Sequence, residues 1–179
     1  GSEMCIRDRG ETARKDSEIH QLRNVQLQQE IEERKKAQAA LELLATQDGL
    51  TGISNRRHVL ELGSRAFEQA QRYRRPLTAI MLDIDHFKAV NDTYGHKSGD
   101  MVLQRIASLL SQNIRAQDVL ARYGGEEFII AIPDIGADGA VALAERLRKS
   151  VNALEQIYEG QSIKVTASFG VACGAIGPG

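Results

Sequence analysis

Two strand-like runs, 118–123 (DVLARY) and 126–132 (EEFIIAI), are separated only by Gly124-Gly125. A gap that short forces the chain to reverse. Two glycines supply at little cost the positive φ of a primed two-residue turn, so the pattern predicts an antiparallel hairpin. Around it the periodicity alternates. Val59, Leu62, Ala66, Ala70 and Tyr73 share one face of a helix that ends before Pro76, and 77–84 (LTAIMLDI) reads as a buried strand. A helical stretch with Phe87, Val90 and Tyr94 on one face follows, then a longer helix from about Gly99 to Arg115 with Leu103, Ile106 and Leu110 inward. Beyond the hairpin come a helix over about Asp138 to Tyr158, with Ala140, Ala144, Leu147, Val151 and Leu154 in line, and a last strand over 162–172. The order α-β-α-α-β-β-α-β with a hairpin inside it specifies an α/β fold, a mixed central sheet flanked by helices.

Ahead of this lies a different kind of segment. From Glu11 to about Gln47 there is neither Pro nor Gly, and Glu, Gln, Arg, Lys and Ala dominate. Such a helix would extend ~55 Å at 1.5 Å per residue, too long to pack alone on a small domain. Ile19, Leu22, Leu27, Ile31, Leu41 and Leu44 recur at mixed steps, mostly of three to five residues, an imperfect heptad seam interrupted by Arg34 and Gln38. A parallel coiled-coil stalk is the reading, with a solvated single helix as the other. Asp48-Gly49-Leu50-Thr51-Gly52 then breaks the helix, and Ser54 or Asn55 can cap the next one. Gly1-Ser2 reads as a protease scar, so the division is 1–10 tag or disordered, 11–46 stalk and 47–179 the α/β domain.

The 179 residues carry a net charge of -1, with 42% hydrophobic and 26% charged residues, so no basic excess points to a nucleic-acid polymer. No run approaches 18 apolar residues, so no membrane contact is expected within this sequence, though a larger parent protein stays open to membrane tethering. Cys5 and Cys173 lie far apart without metal-ligand spacing, which makes a reducing cytoplasm the default location. His20, His58, His86 and His96 show no metal-type pairing, and nothing matches a Walker loop or a nucleophile elbow.

The acidic residues are the informative ones. Asp83 and Asp85 sit at the C-terminal end of an apolar strand, where α/β proteins commonly place ligands, and two-residue spacing puts both on one face. Glu126 and Glu127 follow the Gly-Gly turn. With the hairpin beside the Asp83 strand, three or four carboxylates would converge, and hard oxygen ligands select Mg²⁺, with Mn²⁺ as a substitute, over softer metals. Two such ions are the usual apparatus of nucleotidyl transfer. Each motif alone reads equally as a solvated strand end or an exposed hairpin.

Four segments then resemble one family in order and spacing. Arg122 to Phe128 (RYGGEEF) is similar to the signature of GGDEF domains in its GGEEF form. Asp48 to Arg57 (DGLTGISNRR) resembles the family's DxLTGLxNRR, Asp83 to Asp92 (DIDHFKAVND) its DIDxFKxxND, and Gly95 to Asp100 its GHxxGD. The resemblance covers Gln47 to Ala172. It implies the cyclase-type α/β domain related to the polymerase palm, and a diguanylate cyclase that condenses two GTP into cyclic di-GMP with release of two pyrophosphates.

Carried over residue by residue, the resemblance implies that Asp83, the Ile84 carbonyl and Glu126 hold the metal. Glu126 would also help deprotonate the ribose 3′-hydroxyl, and Glu127 would support the metals or the nucleotide. Phe87 and Lys88 would place the triphosphate, while Asn91 and Asp100, with His96 nearby, would bind guanine. A carboxylate at Asp100 accepts from both N1–H and the exocyclic amine of guanine, a donor pair adenine lacks. Arg115-Ala116-Gln117-Asp118 matches the family's RxxD product-inhibition site, joined by Arg146. Each domain would hold one GTP, so a homodimer through the stalk is implied. The family continues beyond the last strand into DxALYxAKxxGRN, whose Lys and Arg bind triphosphate, and this sequence ends before it. Two further readings stand beside the enzyme: a catalytically weak or inactive cyclic di-GMP receptor, and an interaction module relaying dimerisation.

Overall fold

The computed structural model describes residues 2–174, with side chains from residue 18 onward. Gly1 and residues 175–179, on which expectations about a cleavage scar and the chain's end fall, lie outside the described residues. The chain divides into a unit of residues 1–43 and a unit of residues 44–179. The first belongs to helix α1 (Ser2–Thr46), in which every described side chain from Glu18 to Leu44 is exposed, Leu22, Leu41 and Leu44 included. No helix among the described residues is long and apolar enough to cross a membrane.

The second unit opens on a tight turn. Asp48 N–H donates to the Ile53 carbonyl at 2.8 Å, Gly52 N–H to the Asp48 carbonyl at 2.9 Å, and Gly52 takes φ 72°, where a side chain would be strained. Strand β1 (Ser54–Asn55) leads into α2 (Arg56–Tyr73), capped by the Asn55 side chain, which accepts from His58 N–H at 2.9 Å. Asn55 Nδ2 also donates to the carbonyls of Ala45 (3.0 Å) and Gln47 (3.2 Å), and Arg57 to that of Ala45 (2.6 Å). The Ala45 carbonyl in the last turn of α1 and the Gln47 carbonyl just beyond it are thus closed by side chains that begin α2.

Next come β2 (Leu77–Ile84), α3 (Phe87–Tyr94), α4 (His96–Gln112), β3 (Val119–Arg122), β4 (Glu127–Pro133), α5 (Ala137–Ala153), a small hairpin of β5 (Gln156–Tyr158) and β6 (Gln161–Ile163), and β7 (Ala167–Gly174). The main sheet has the order β1-β3-β4-β2-β7, with β1 parallel to β3 and the other pairs antiparallel. This is the expected mixed sheet flanked by helices. Alternate residues Ile80, Leu82 and Ile84 of β2 and Phe128, Ile130 and Ile132 of β4 are fully buried. They join Val102, Leu103, Ile106 and Leu110 of α4 and Ala144, Leu147 and Val151 of α5 in one core. Each such large side chain stabilises the domain by about 1.5–3 kcal/mol.

Five expectations are corrected. The turn after β3 is a four-residue loop, 123–126, and neither Gly124 nor Gly125 has positive φ. The loop is closed instead by Tyr123 and Gly124 N–H groups, both donating to the Glu127 carbonyl (2.8 and 3.3 Å). Helix α4 starts at His96 because the Gly95 carbonyl (φ 85°) accepts from Ser98 and Gly99 N–H. It stops at Gln112, where Asn113 Nδ2 caps the Leu109 carbonyl at 2.8 Å, so Arg115 lies beyond the helix. Helix α5 stops at Ala153, and the run read as its last turn is β5, which reverses through Glu159 (φ 49°) and Gly160 (φ 78°). Two positive φ values in sequence are the primed turn, formed here rather than at Gly-Gly. The last strand is accordingly two, β6 and β7, and Tyr73 is 63% exposed at the end of α2.

Candidate active site

Asp83 is the penultimate residue of β2, half-buried, and pairs directly with Glu127 of β4 on one side and Ser168 of β7 on the other. Directly paired residues on antiparallel strands face the same way, so two carboxylates share one sheet face at the strand end. Glu126 lies in the loop, half-buried, and its carbonyl accepts from Ile84 N–H at 3.3 Å. The residues expected to hold a metal, Asp83, Ile84 and Glu126, thus lie at one strand end, with Glu127 across the ladder from Asp83.

Gly124 has a steric rather than a conformational role. A Cβ there would collide with Glu127 Oε2 and lie 3.3 Å from Cδ, so the missing side chain is what lets Glu127 fold back over the loop. Gly125 has open space at the equivalent position.

Asp85 does not join this pair. Strand β2 ends at Ile84, and the next residues turn, with His86 at φ 56°. Both Asp85 oxygens are taken by hydroxyls, Oδ2 by Thr166 at 2.6 Å and Oδ1 by Ser168 at 2.7 Å. Asp85 N–H donates to the Thr166 carbonyl at 3.0 Å. The convergence of three or four carboxylates is corrected accordingly: no group of three or more His, Cys, Asp or Glu among the described residues is spaced to hold a metal. One or two carboxylates and a carbonyl still suit Mg²⁺, which keeps several waters and takes its other ligands from substrate phosphates.

The hydroxyls of Thr166 and Ser168 hold the Asp85 carboxyl below its ordinary pKa. A depressed folded value contributes stability that is present above the unfolded value, near about 3.9, and is lost as pH falls through the folded one. Asp85→Asn is therefore expected to cost ~1 kcal/mol at pH 7, the solvent-screened end of the range for hydrogen bonds to charged groups, with the gap closing below about pH 4. Thermal melts of both proteins at pH 7 and pH 3 check this. A gap unchanged at pH 3 would assign the loss to packing.

Residues expected to bind nucleotide surround the α3–α4 junction. Phe87 is buried and opens α3, Lys88 is exposed beside it, and Asn91 is half-buried one turn on. Gly95 N–H donates to the Asn91 carbonyl at 2.9 Å, placing exposed His96 and Asp100 in the first turns of α4. The Asn91 side-chain oxygen occupies the space where Gly99 would carry a Cβ, with Phe87 Cζ 3.1 Å from that point. Glycine at 99 is thus what brings α3 and α4 close enough to set Asn91 next to Asp100.

The expected inhibitory residues converge elsewhere. Asp118 Oδ2 accepts from Arg115 N–H at 2.8 Å and Asp118 N–H donates to the Arg115 carbonyl at 3.0 Å, a closed turn. Arg146 of α5 reaches over to donate to the Asn113 carbonyl at 2.8 Å. Arg115, Asp118 and Arg146 line one cavity of about 530 Å³. Asp118 is only 9% exposed, yet its Oδ1 has no hydrogen-bond partner among the described residues.

Arg122 and Asp48 were given no role by sequence reasoning, and the structure places both at the signature loop. Arg122 Nε and Nη2 donate to the Gly125 carbonyl at 3.2 and 2.7 Å, while Nη1 lies 3.3 Å from Asp48 Oδ1. Both side chains are largely shielded, 17% and 22% exposed. Burial works to raise the Asp48 pKa, but hydrogen bonds from the Thr51 hydroxyl and N–H and the Arg122 charge outweigh it, and the carboxyl titrates below its ordinary value. Arg56 stacks over the Tyr123 ring at 4.6 Å. A lone arginine before a turn carries no periodic signal, and only the folded contacts reveal it.

Comparison with known proteins adds the following. Residues 45–177 match the family described as diguanylate cyclase, GGDEF domain. The chain is 49% identical over 96 residues to Diguanylate cyclase A of Treponema denticola, 54% of this chain and 26% of that protein. It is 40% identical over 134 residues to Response regulator PleD of Caulobacter vibrioides, 74% of this chain and 30% of that protein. It thus spans less than a third of the length of these curated relatives. Among solved structures it is similar to the coiled coil and GGDEF domain of DgcB from Caulobacter crescentus in complex with c-di-GMP, at TM-score 0.79 and 29% identity over 86% of this chain and 82% of that one. It is also similar to diguanylate cyclase SiaD in complex with its activator SiaC from Pseudomonas aeruginosa, at TM-score 0.72 and 34% identity over 98% and 70%.

Proposed function

Because the chain belongs to the GGDEF family of diguanylate cyclase domains, we propose that it condenses two GTP into cyclic di-GMP and two pyrophosphates. The observation that carries this is the strand-end pair Asp83 and Glu127, with Glu126 tied by its carbonyl to Ile84. Asp83, Glu126 and the Ile84 carbonyl would hold Mg²⁺, or Mn²⁺ in its place. When bound, the metal lowers the pKa of the ribose 3′-hydroxyl and neutralises the leaving pyrophosphate. Glu126 accepts the hydroxyl proton and Glu127 supports its position. Phe87 N–H and Lys88 orient the triphosphate, while Asn91, Asp100 and nearby His96 bind guanine. Each domain presents one GTP, and two domains must face each other for both bonds to form, so catalysis is chiefly positioning.

The exposed apolar side chains of α1, from Ile19 to Leu44, support pairing of two copies through the stalk. Tethering raises the domains' effective concentration toward about millimolar. The cytoplasm, where GTP is found, is the proposed location.

The cavity of Arg115, Asp118 and Arg146 supports product inhibition. Among its lining residues the Asp118 carboxylate suits a guanine N–H, and the two guanidinium groups suit phosphate. A relative of the same fold carries c-di-GMP. Asp118 and Gly124 are six residues apart on largely extended chain, up to ~20 Å, so product there does not overlap the guanine site. Chromatography of products after incubation with GTP or ATP and Mg²⁺ tests the reaction, and conversion of ATP as readily as GTP would refute the role of Asp100. Arg115→Ala is expected to weaken cyclic di-GMP binding at least tenfold, by about 1.4 kcal/mol or more, with the KM for GTP nearly unchanged. Binding without any turnover by the active assembly would favour the receptor reading.

A further inference from the structure

The loop 123–126 carries Glu126 but has no regular secondary structure of its own, so something must fix the direction in which that carboxylate points. Its peptide planes are held at three places. Tyr123 lies under the Arg56 guanidinium, the Glu126 carbonyl accepts from Ile84 N–H, and the Gly125 carbonyl accepts two N–H groups of Arg122. The last is decisive, because the Gly125 carbonyl and the Glu126 N–H belong to one rigid peptide unit. Holding that oxygen from two directions fixes the plane from which the Glu126 side chain departs.

Arg122 is held in turn. Its third nitrogen meets Asp48, whose Oδ1 also accepts from Thr51 N–H (2.9 Å) and hydroxyl (2.7 Å) inside the turn that follows α1. The fork of the guanidinium spans the two sites at once, which the single ammonium of a lysine cannot do.

We propose that Arg122, anchored by Asp48, is a positioning residue that aims Glu126 at the metal by gripping the Gly125 carbonyl. The proposal rests on the cyclase reading of Glu126. Groups that orient a ligating residue typically change metal affinity by about 10–100-fold when removed. The test is manganese(II) binding to the full chain, followed by electron paramagnetic resonance in the presence of a GTP analogue with a methylene bridge between its α and β phosphorus atoms. Arg122→Lys is expected to weaken manganese binding about tenfold or more. Asp48→Asn should shift it in the same direction by less. The Arg122→Lys protein should melt within a few degrees of wild type. Glu126→Gln is the reference and should lose most of the binding.

Unchanged manganese affinity in Arg122→Lys, with affinity lost in Glu126→Gln, overturns the positioning role and leaves the cyclase reading standing. Wild-type affinity in Glu126→Gln removes the metal role of Glu126 and the proposal with it. Where Arg122→Lys melts far below wild type, protection of the Ile84 amide, which donates to the Glu126 carbonyl, is measured by hydrogen exchange in Asp48→Asn: faster exchange together with weaker manganese binding supports the proposal, and unchanged exchange overturns it.

Discussion

Glu126→Gln is expected to abolish turnover, with kcat down by about 10³-fold or more, while the melting temperature stays within a few degrees of wild type. The substitution keeps side-chain volume nearly constant and removes one negative charge from a site whose work is electrostatic. Losing a single preorganised group from such a site commonly costs about 10²–10³-fold, and Glu126 is proposed both to hold the metal and to take the proton. The fold should be indifferent. Glu126 is half-buried in a loop, and the bond that ties it down runs from Ile84 N–H to its main-chain carbonyl, which glutamine retains. Initial rates of cyclic di-GMP formation by the active protein, measured beside thermal melts, decide the matter. Turnover within tenfold of wild type would remove Glu126 from the chemistry.

Gly99→Ala is the second large effect, and it separates binding from stability. The new Cβ would collide with Asn91 Oδ1 and lie 3.0 Å from Asn91 Cγ and 3.1 Å from Phe87 Cζ. An amide at the end of a flexible side chain can swing away, so the penalty falls on where Asn91 points. Alanine meanwhile gains ~1 kcal/mol over glycine within a helix, which offsets part of the strain. GTP affinity should fall about tenfold or more, the scale of losing one well-placed hydrogen bond and leaving its partner unsatisfied. The melting temperature should move by only a few degrees. Because the route is through Asn91, adding Gly99→Ala to Asn91→Ala should cost little further. Calorimetric titration of GTP into the two single variants and the double variant tests this. Full additivity, or a collapsed melting temperature with intact affinity, would show that Phe87 rather than Asn91 takes the strain.

How much of this was legible beforehand varied with the kind of signal. Strand β2 was read with its observed ends, because Pro76 stops the preceding helix and eight apolar-rich residues follow. Its alternation put Asp83 at the strand end beside the hairpin, as observed. At Asp85 the ladder still reaches Thr166, and what the two-residue rule could not show is that the Thr166 and Ser168 hydroxyls occupy its carboxylate. Glycine was the most ambiguous letter. At Gly124 it makes room for a carboxylate, at Gly99 for an amide, and at Gly160 it supplies positive φ, three purposes that look alike in sequence. The β5–β6 hairpin was hidden because Leu154 and Tyr158 prolong the helical period of α5, and glutamate is an uncommon occupant of a left-handed turn position. Strand β1, two residues long, carries no pattern at all.

The way α1 ends has a mechanical consequence. A helix unwinds most readily from an end whose main-chain groups are left to water, and here Asn55 and Arg57 both occupy the Ala45 carbonyl of that last turn. Fraying of that turn therefore has to break two side-chain hydrogen bonds as well, and rotating it would drag the Ala45 carbonyl against two side chains rooted at the start of α2. Lengthening the Gln47–Ile53 turn would separate that carbonyl from both partners and leave the last turn of α1 to water.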